Sequence, residues 1–396
     1  MENHLARTLS RSHDPRSRRG LVVGLGIVAV VGTAGIAHAS GGGDGFLTTP
    51  SASPSTSTTP AVQASVMAPA PAAAMSPAPA MPMNGQQLAA ANTCMTEAAR
   101  MTAAMDRTGM TDMDMVRRGP ASNRLRFRTV GDSTVPAFNQ VLGINNQGTV
   151  VGYSGSGEDA QHPNRGYAIR PPYRQANLRA LNVPNSVQTQ DIGINRRGDI
   201  VGFSVDAQGV TSGFVRMGGM FSPVANPMGT AKPAENQLLS INDRRVAAGF
   251  YNDAAGASHP YLYDVCHKTF MPVALPFPVD SAQATGINNS GTVTGLYVEG
   301  KVTHAFIYEG KRVTSLSLGN GSNTQALGIN NTGDVVGSYV DKQGNTHGFV
   351  WTHGMARTVD APRAAGSTVV NGLNDLGQLV GFYTSQDKRT IGFIAR

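Results

Sequence analysis

Four groups of residues in this chain are of types that do chemistry. Ten of the 16 methionines fall between Met67 and Met115, with Met110, Met113 and Met115 closely spaced. Thioethers are soft ligands that suit Cu(I), which makes copper handling by this arm one reading; gap-filling on a Met-faced helix is the plainer one. His259, His304 and His347 recur at one place in successive repeats. Three imidazoles suit zinc by type, but equivalent positions around a ring lie too far apart, so they are read as hydrogen bonders beside a turn and no metal site is assigned. A charged stretch carries Glu158, Asp159, His162 and Arg165. With Asp280 on the same face it could bind a polar ligand or a cation, or supply the carboxylates of a glycan hydrolase or lyase; a solvated insertion is the alternative. The pairs Arg196–Arg197 and Arg244–Arg245 place four cations in equivalent turns of adjacent repeats, where an anionic glycan or phosphate could meet them. No nucleophile elbow, phosphate loop or metalloprotease helix is present, so no catalytic residue and no cofactor is assigned.

What must position these residues is an internal repeat. Six copies of one line begin at Gly143, Gly193, Ser240, Gly286, Gly328 and Gly372, each reading close to Gly-Ile-Asn-Asn-x-Gly-x-Val-Val-Gly. Counted from Ile144 to Leu373, the spacings are 50, 47, 46, 42 and 44 residues. A period of about 40–50 residues marks a repeat architecture. Each of the first five copies holds four short runs rich in Val, Ile, Tyr and Phe, separated by Gly, Asn and Asp, which is a strand pattern. Asn at the first position of the line's turn and Gly at the fourth suit a type I turn closed by a left-handed residue; the third copy has Arg245 in place of that Gly. A Gly recurs in every second strand (Gly152, Gly202, Gly249, Gly295, Gly337, Gly381), and is read as a packing constraint between neighbouring blades.

Four antiparallel strands per repeat is the size of one propeller blade. The last copy ends after its third strand, and a strand-like run at 125–130 precedes the first copy. That run is expected to complete the last blade and close the ring, leaving no open edge. The expected fold is all-β: a six-bladed propeller of four-stranded blades over residues 120–396.

The line, followed by His304-Ala-Phe or His347-Gly-Phe, resembles the bacterial extracellular HAF-repeat family over about residues 124–396. The resemblance implies export and a propeller-like fold, and it brings no catalytic residues. The chain departs from the pattern at Ser240 and Arg245, and copies one, two and six lack the His.

The first 120 residues read differently. Arg16, Arg18 and Arg19 precede an apolar run over 21–37, and the small-x-small exit ends at Ala39. This is the pattern of a signal peptide over 1–39, cleaved between Ala39 and Ser40; an uncleaved inner-membrane anchor at 21–37 is the alternative. Residues 40–119 are an Ala-, Pro-, Ser-, Thr- and Met-rich linker expected to stay unfolded, with a short helix over 86–108. The net charge is +7, of which residues 1–39 carry +3, and the mild remainder excludes a case for nucleic acid. Cys94 and Cys266 are the only cysteines, and in an oxidising compartment they could pair. The expectation is an exported monomer, periplasmic or extracellular, that serves as a binding or scaffold module for an envelope glycan or another surface protein.

Overall fold

The computed structural model describes residues 125–310, 312–319 and 323–396. The signal segment with Ala39 and Ser40, the linker, the 86–108 helix, Cys94 and the methionines from Met67 to Met115 lie outside the described residues. The described residues form a six-bladed propeller of four-stranded antiparallel sheets.

After β1 (Phe127–Thr129), the first blade is β2 (Asn139–Ile144), β3 (Val150–Ser154), β4 (Arg165–Ile169) and β5 (Leu178–Ala180). The second is β6 (Gln188–Ile194), β7 (Ile200–Val205), β8 (Thr211–Met217) and β9 (Met220–Val224). The third is β10 (Asn236–Ile241), β11 (Val246–Asn252), β12 (Ser258–Asp264) and β13 (Thr269–Pro272). The fourth is β14 (Ser281–Ile287), β15 (Val293–Glu299), β16 (Val302–Glu309) and β17 (Arg312–Leu316). The fifth is β18 (Thr324–Ile329), β19 (Val335–Val340), β20 (Thr346–Thr352) and β21 (Met355–Val359). The sixth combines β22 (Thr368–Leu373), β23 (Leu379–Thr384) and β24 (Thr390–Ala395) with β1, which pairs with β24 from Phe127 opposite Ala395 to Thr129 opposite Phe393. Among the described residues no helix is long and apolar enough to cross a membrane.

The first strand of every blade carries a break in register, skipping Leu142, Ile192, Leu239, Thr285, Leu327 or Asn371. A β-bulge adds one residue on one strand and turns its side chain out of the alternation. Residues on both sides of the strand are thereby buried: Val141 packs between blades while Leu142 joins the apolar cluster at the axis with Ile192 and Leu239.

The bulge also explains the recurrent second-strand glycine. A Cβ on Gly152, Gly202, Gly249 or Gly295 would sit 2.0–2.1 Å from the carbonyl oxygen of Gln140, Gln190, Gln237 or Gln283, in the first strand of the same blade. The other side is filled as well: Gly295 pairs with Phe306, whose ring would lie 2.5 Å from that Cβ. The constraint is therefore within a blade, and not between blades as the sequence pattern suggested. The close approach between blades belongs to the first-strand glycine; a Cβ on Gly143 would meet the Ile192 carbonyl oxygen at 2.5 Å. Opposite each second-strand glycine the third strand places one buried ring, Tyr167, Phe214, Tyr261, Phe306, Phe349 or Phe393.

Candidate binding site at the propeller axis

The six turn asparagines do two jobs. Each Oδ1 accepts two backbone N–H groups of its own turn, as Asn242 does from Arg244 (3.0 Å) and Val246 (2.9 Å). This is the Asx-turn chemistry expected of Asn. Each Nδ2 then donates to the backbone carbonyl of the next asparagine around the ring. Asn145 bonds Asn195 (3.1 Å), Asn195 bonds Asn242 (3.1 Å), and Asn242 bonds Asn288 (3.0 Å). Asn288 bonds Asn330 (3.2 Å), Asn330 bonds Asn374 (3.5 Å), and Asn374 returns to Asn145 (3.0 Å). All six asparagines are buried. The amide that shapes each turn thus also ties it to its neighbour.

This belt surrounds one end of a cavity of about 140 Å³ on the axis. The bulge residues Leu142, Ile192, Leu239, Thr285, Leu327 and Asn371 line its inner part. Its mouth is formed by the residues after the asparagines: Asn146, Arg196, Asp243, Asn289, Asn331 and Asp375. These too are linked from blade to blade. The backbone N–H of Arg196 donates to Asp243 (2.8 Å), that of Asp243 to Asn289 (2.9 Å), and that of Asn289 to Asn331 (2.8 Å). Asn331 donates to Asp375 (2.8 Å) and Asp375 to Asn146 (3.0 Å). The sixth position breaks the pattern, because the neighbour of Asn146 is Arg196, and a guanidinium has no acceptor. The mouth therefore presents two carboxylates and one guanidinium among amides, held by backbone bonds.

The structure divides the residues singled out from sequence. Arg196 and Arg197 sit at the second blade's first turn. Arg196 Nε lies 3.6 Å from Asp243 Oδ2, and Arg197 Nε donates to the Asp243 carbonyl (3.1 Å). Arg244 is exposed, whereas Arg245 is buried at φ +62° with its Nε 2.8 Å from the buried Asp199 carboxylate. Arg245 thus replaces the glycine of its turn with an ion pair between blades. The 155–164 loop lies at the opposite end of the first blade. Within it His162 Nδ1 is 2.9 Å from Asp159, which lowers the Asp159 pKa, and Glu158 and Arg165 are exposed. Asp280 belongs to the fourth blade, across the ring, and accepts the Gly300 N–H at 2.7 Å. The geometry therefore does not bring Glu158 and Asp159 together with Asp280.

The recurrent histidines each stack on a tyrosine of the neighbouring strand, His259 on Tyr251, His304 on Tyr297 and His347 on Tyr339. His347 also bridges Asp341 and Asp360, both at 3.0 Å. Among the described residues no three His, Cys, Asp or Glu are grouped to hold a metal ion. Cys266 lies in the turn between β12 and β13, and no described cysteine is a free thiol.

Sequence reasoning missed the axial cavity. Its signal was present in the position after each asparagine, which is polar in all six copies, although no turn requires it to be.

No family model matches the chain, and no curated protein matches it, so the HAF-repeat resemblance rests on the six motif copies alone. Among solved structures, TolB from Acinetobacter baumannii is 12% identical with a TM-score of 0.44 over 62% of this chain, which spans 63% of TolB's length. A streptogramin B lyase is 10% identical with a TM-score of 0.42, over 68% of this chain and 97% of its own. The Aleuria aurantia lectin, in complex with Fucα1-6GlcNAc, is 9% identical with a TM-score of 0.43, over 65% of this chain and 91% of its own.

Proposed function

We propose that this chain is an exported propeller that works as a binding module of the cell envelope. The observation that carries the reading is the mouth of the axial cavity. Six polar residues of three kinds, Asn, Asp and Arg, face one small opening and are held by bonds between blades. Preformed concave sites with a few placed polar groups are the usual form of a ligand site, and rigidity lowers the ordering cost of binding. The asymmetry matters: Asp243 and Asp375 accept N–H groups from the neighbouring blades and also give the opening its negative charge, while Arg196 leaves the belt open at one seam. The signal-like residues 1–39 support the location, and the partner class is an envelope glycan or a surface protein.

The test is a thermal-shift screen of the full chain against cell-wall fragments and neutral and acidic glycans. A ligand specific for the folded state at 100 times its dissociation constant stabilises by about 2.7 kcal/mol. A shift that Asp243→Asn and Asp375→Asn abolish supports the axial site. Turnover of the stabilising glycan, in place of simple binding, would overturn the reading in favour of an enzyme.

A further inference from the structure

The seam between the first and second blades differs from the other five in three ways. The belt at the cavity mouth is broken there, at Asn146 and Arg196. Two inward positions that are apolar or aromatic in every other repeat also hold ionisable groups there. Opposite the second-strand glycine stand Val141, Asp191, Leu238, Ala284, Ala326 and Val370. Two residues before that glycine, the third-strand partners are Ile169, Arg216, Tyr263, Tyr308, Trp351 and Ala395. Only the second blade places Asp and Arg in these columns. Ionisable groups in a packed seam cost stability; the seam of the second and third blades also holds such groups, but as the matched pair Arg245–Asp199, whereas here the Arg216 Nε and both Asp191 carboxylate oxygens are left without a hydrogen bond.

Beside these residues lies a groove of about 590 Å³ lined by Arg170, Arg179, Arg196, Arg197 and Arg216. Among the described residues no Asp or Glu lines it. Arg170 and Arg179 are exposed. The Arg216 Nε is buried without a hydrogen-bond partner, and its guanidinium sits 5.6 Å from the centre of the Phe221 ring. Asp191 does not cancel this charge: it is fully buried, with neither carboxylate oxygen bonded. Burial holds it well toward its neutral form, against the smaller pull of Arg216.

We propose that this groove binds a saccharide carrying an oxyanion group: phosphate, sulfate or carboxylate. The proposal rests on the reading of the chain as a binding module and names the ligand class. Guanidinium forks match oxyanions with paired hydrogen bonds. The groove is larger than a bare oxyanion needs and falls in the size range of small-molecule sites. Its neutral polar lining, Gln147, Thr149 and Asn177, suits hydroxyl groups. Among the described residues no aromatic ring lines it, so they offer no stacking platform of the kind that single-stranded nucleic acid uses.

The experiment is calorimetric titration of the full chain with glucose, glucose 6-phosphate, glucose 6-sulfate, glucuronate and inorganic phosphate. At least one charged sugar is expected to bind, with glucose at least tenfold weaker. Arg179→Gln, a surface change, should weaken that sugar about tenfold, and Arg216→Gln should do the same. Arg357→Gln, at the position equivalent to Arg179 in the fifth blade, should change nothing. Equal affinity for glucose, or no effect of either groove variant, overturns the site. Binding of inorganic phosphate as tight as that of any sugar overturns the saccharide. Failure of every charged probe, beside a neutral glycan whose stabilisation depends on Asp243 and Asp375, overturns this inference and leaves the axial binding module standing.

Discussion

Asn374 donates its side-chain amide to the backbone carbonyl of Asn145 at 3.0 Å, across 229 residues of sequence. It is the bond that makes the belt cyclic, because it joins the sixth blade to the first. Its Oδ1 simultaneously accepts the N–H groups of Leu376 (3.1 Å) and Gln378 (3.0 Å). The two roles are separable. Asn374→Asp keeps the acceptor and loses the donor; Asn374→Ala loses both. Buried hydrogen bonds contribute about 1 kcal/mol each, and stranded partners cost about 1–3 kcal/mol. Asn374→Ala should therefore cost about 3 kcal/mol; Asn374→Asp turns a buried carboxylate oxygen toward the Asn145 carbonyl and Gln378 Oε1 and should cost at least as much at neutral pH, as read from urea denaturation midpoints. A clearly smaller loss for Asn374→Asp at neutral pH would mean that the amide donor to Asn145 contributes little.

Glycines of two kinds respond differently to alanine. Gly295 is enclosed by the Gln283 carbonyl and the Phe306 ring, whereas Gly310 has φ +62° and open space around it. Gly310→Ala should cost about 1 kcal/mol from backbone strain alone. Gly295→Ala must displace a first strand or a core ring and should cost about 3 kcal/mol. Melting temperatures of the two variants in the reverse order would refute the enclosed role.

Asp191→Val restores the residue type of the other blades and should raise stability at neutral pH. Burial raises the folded pKa of Asp191. Its contribution to stability is then fully present below the unfolded value of about 3.9 and is lost as pH rises from there through the folded value. The advantage of the variant should widen from acid to neutral pH in a series of thermal melts. An advantage independent of pH would show that Asp191 stays ionised in the fold.

His347 gives a slope of the same sign in a higher window. Burial opposes its charge, but hydrogen bonds and attraction from Asp341 and Asp360 outweigh it and raise the pKa above 6.5. The stabilisation is complete below the unfolded value and is lost as pH rises through the folded one. Relative to His347→Gln, the protein should lose stability as pH rises from the ordinary histidine value of about 6.5 through the raised folded value. Parallel stability curves for the two proteins would exclude the charged bridge.

The blade count and the four-strand unit were legible because both depend on local signals, the recurring turn and the runs between turns. The bulge was less so. Val141 and Leu142 are adjacent, apolar and both buried, which no regular alternation allows, and that doublet was the available clue. The side-chain amide of Asn145 reaches a partner 50 residues away, and Arg245 finds Asp199 at a separation of 46. Contacts of that kind appear only once adjacent blades are placed side by side. The groove was hidden for the opposite reason: Asp191 and Arg216 look ordinary alone, and stand out only against the apolar residues of the five other copies.

A loop of hydrogen bonds with no first or last member also bears on where the chain can be cut. Nothing in the asparagine belt distinguishes the seam between Asn374 and Asn145 from the others, and the Arg126 N–H already bonds the Arg396 carbonyl at 2.9 Å. Circular permutants that join these two points and open the exposed turn at Gly310 should rebuild the same belt in the same register. The order in which the blades are synthesised is then a property of the gene and not of the architecture.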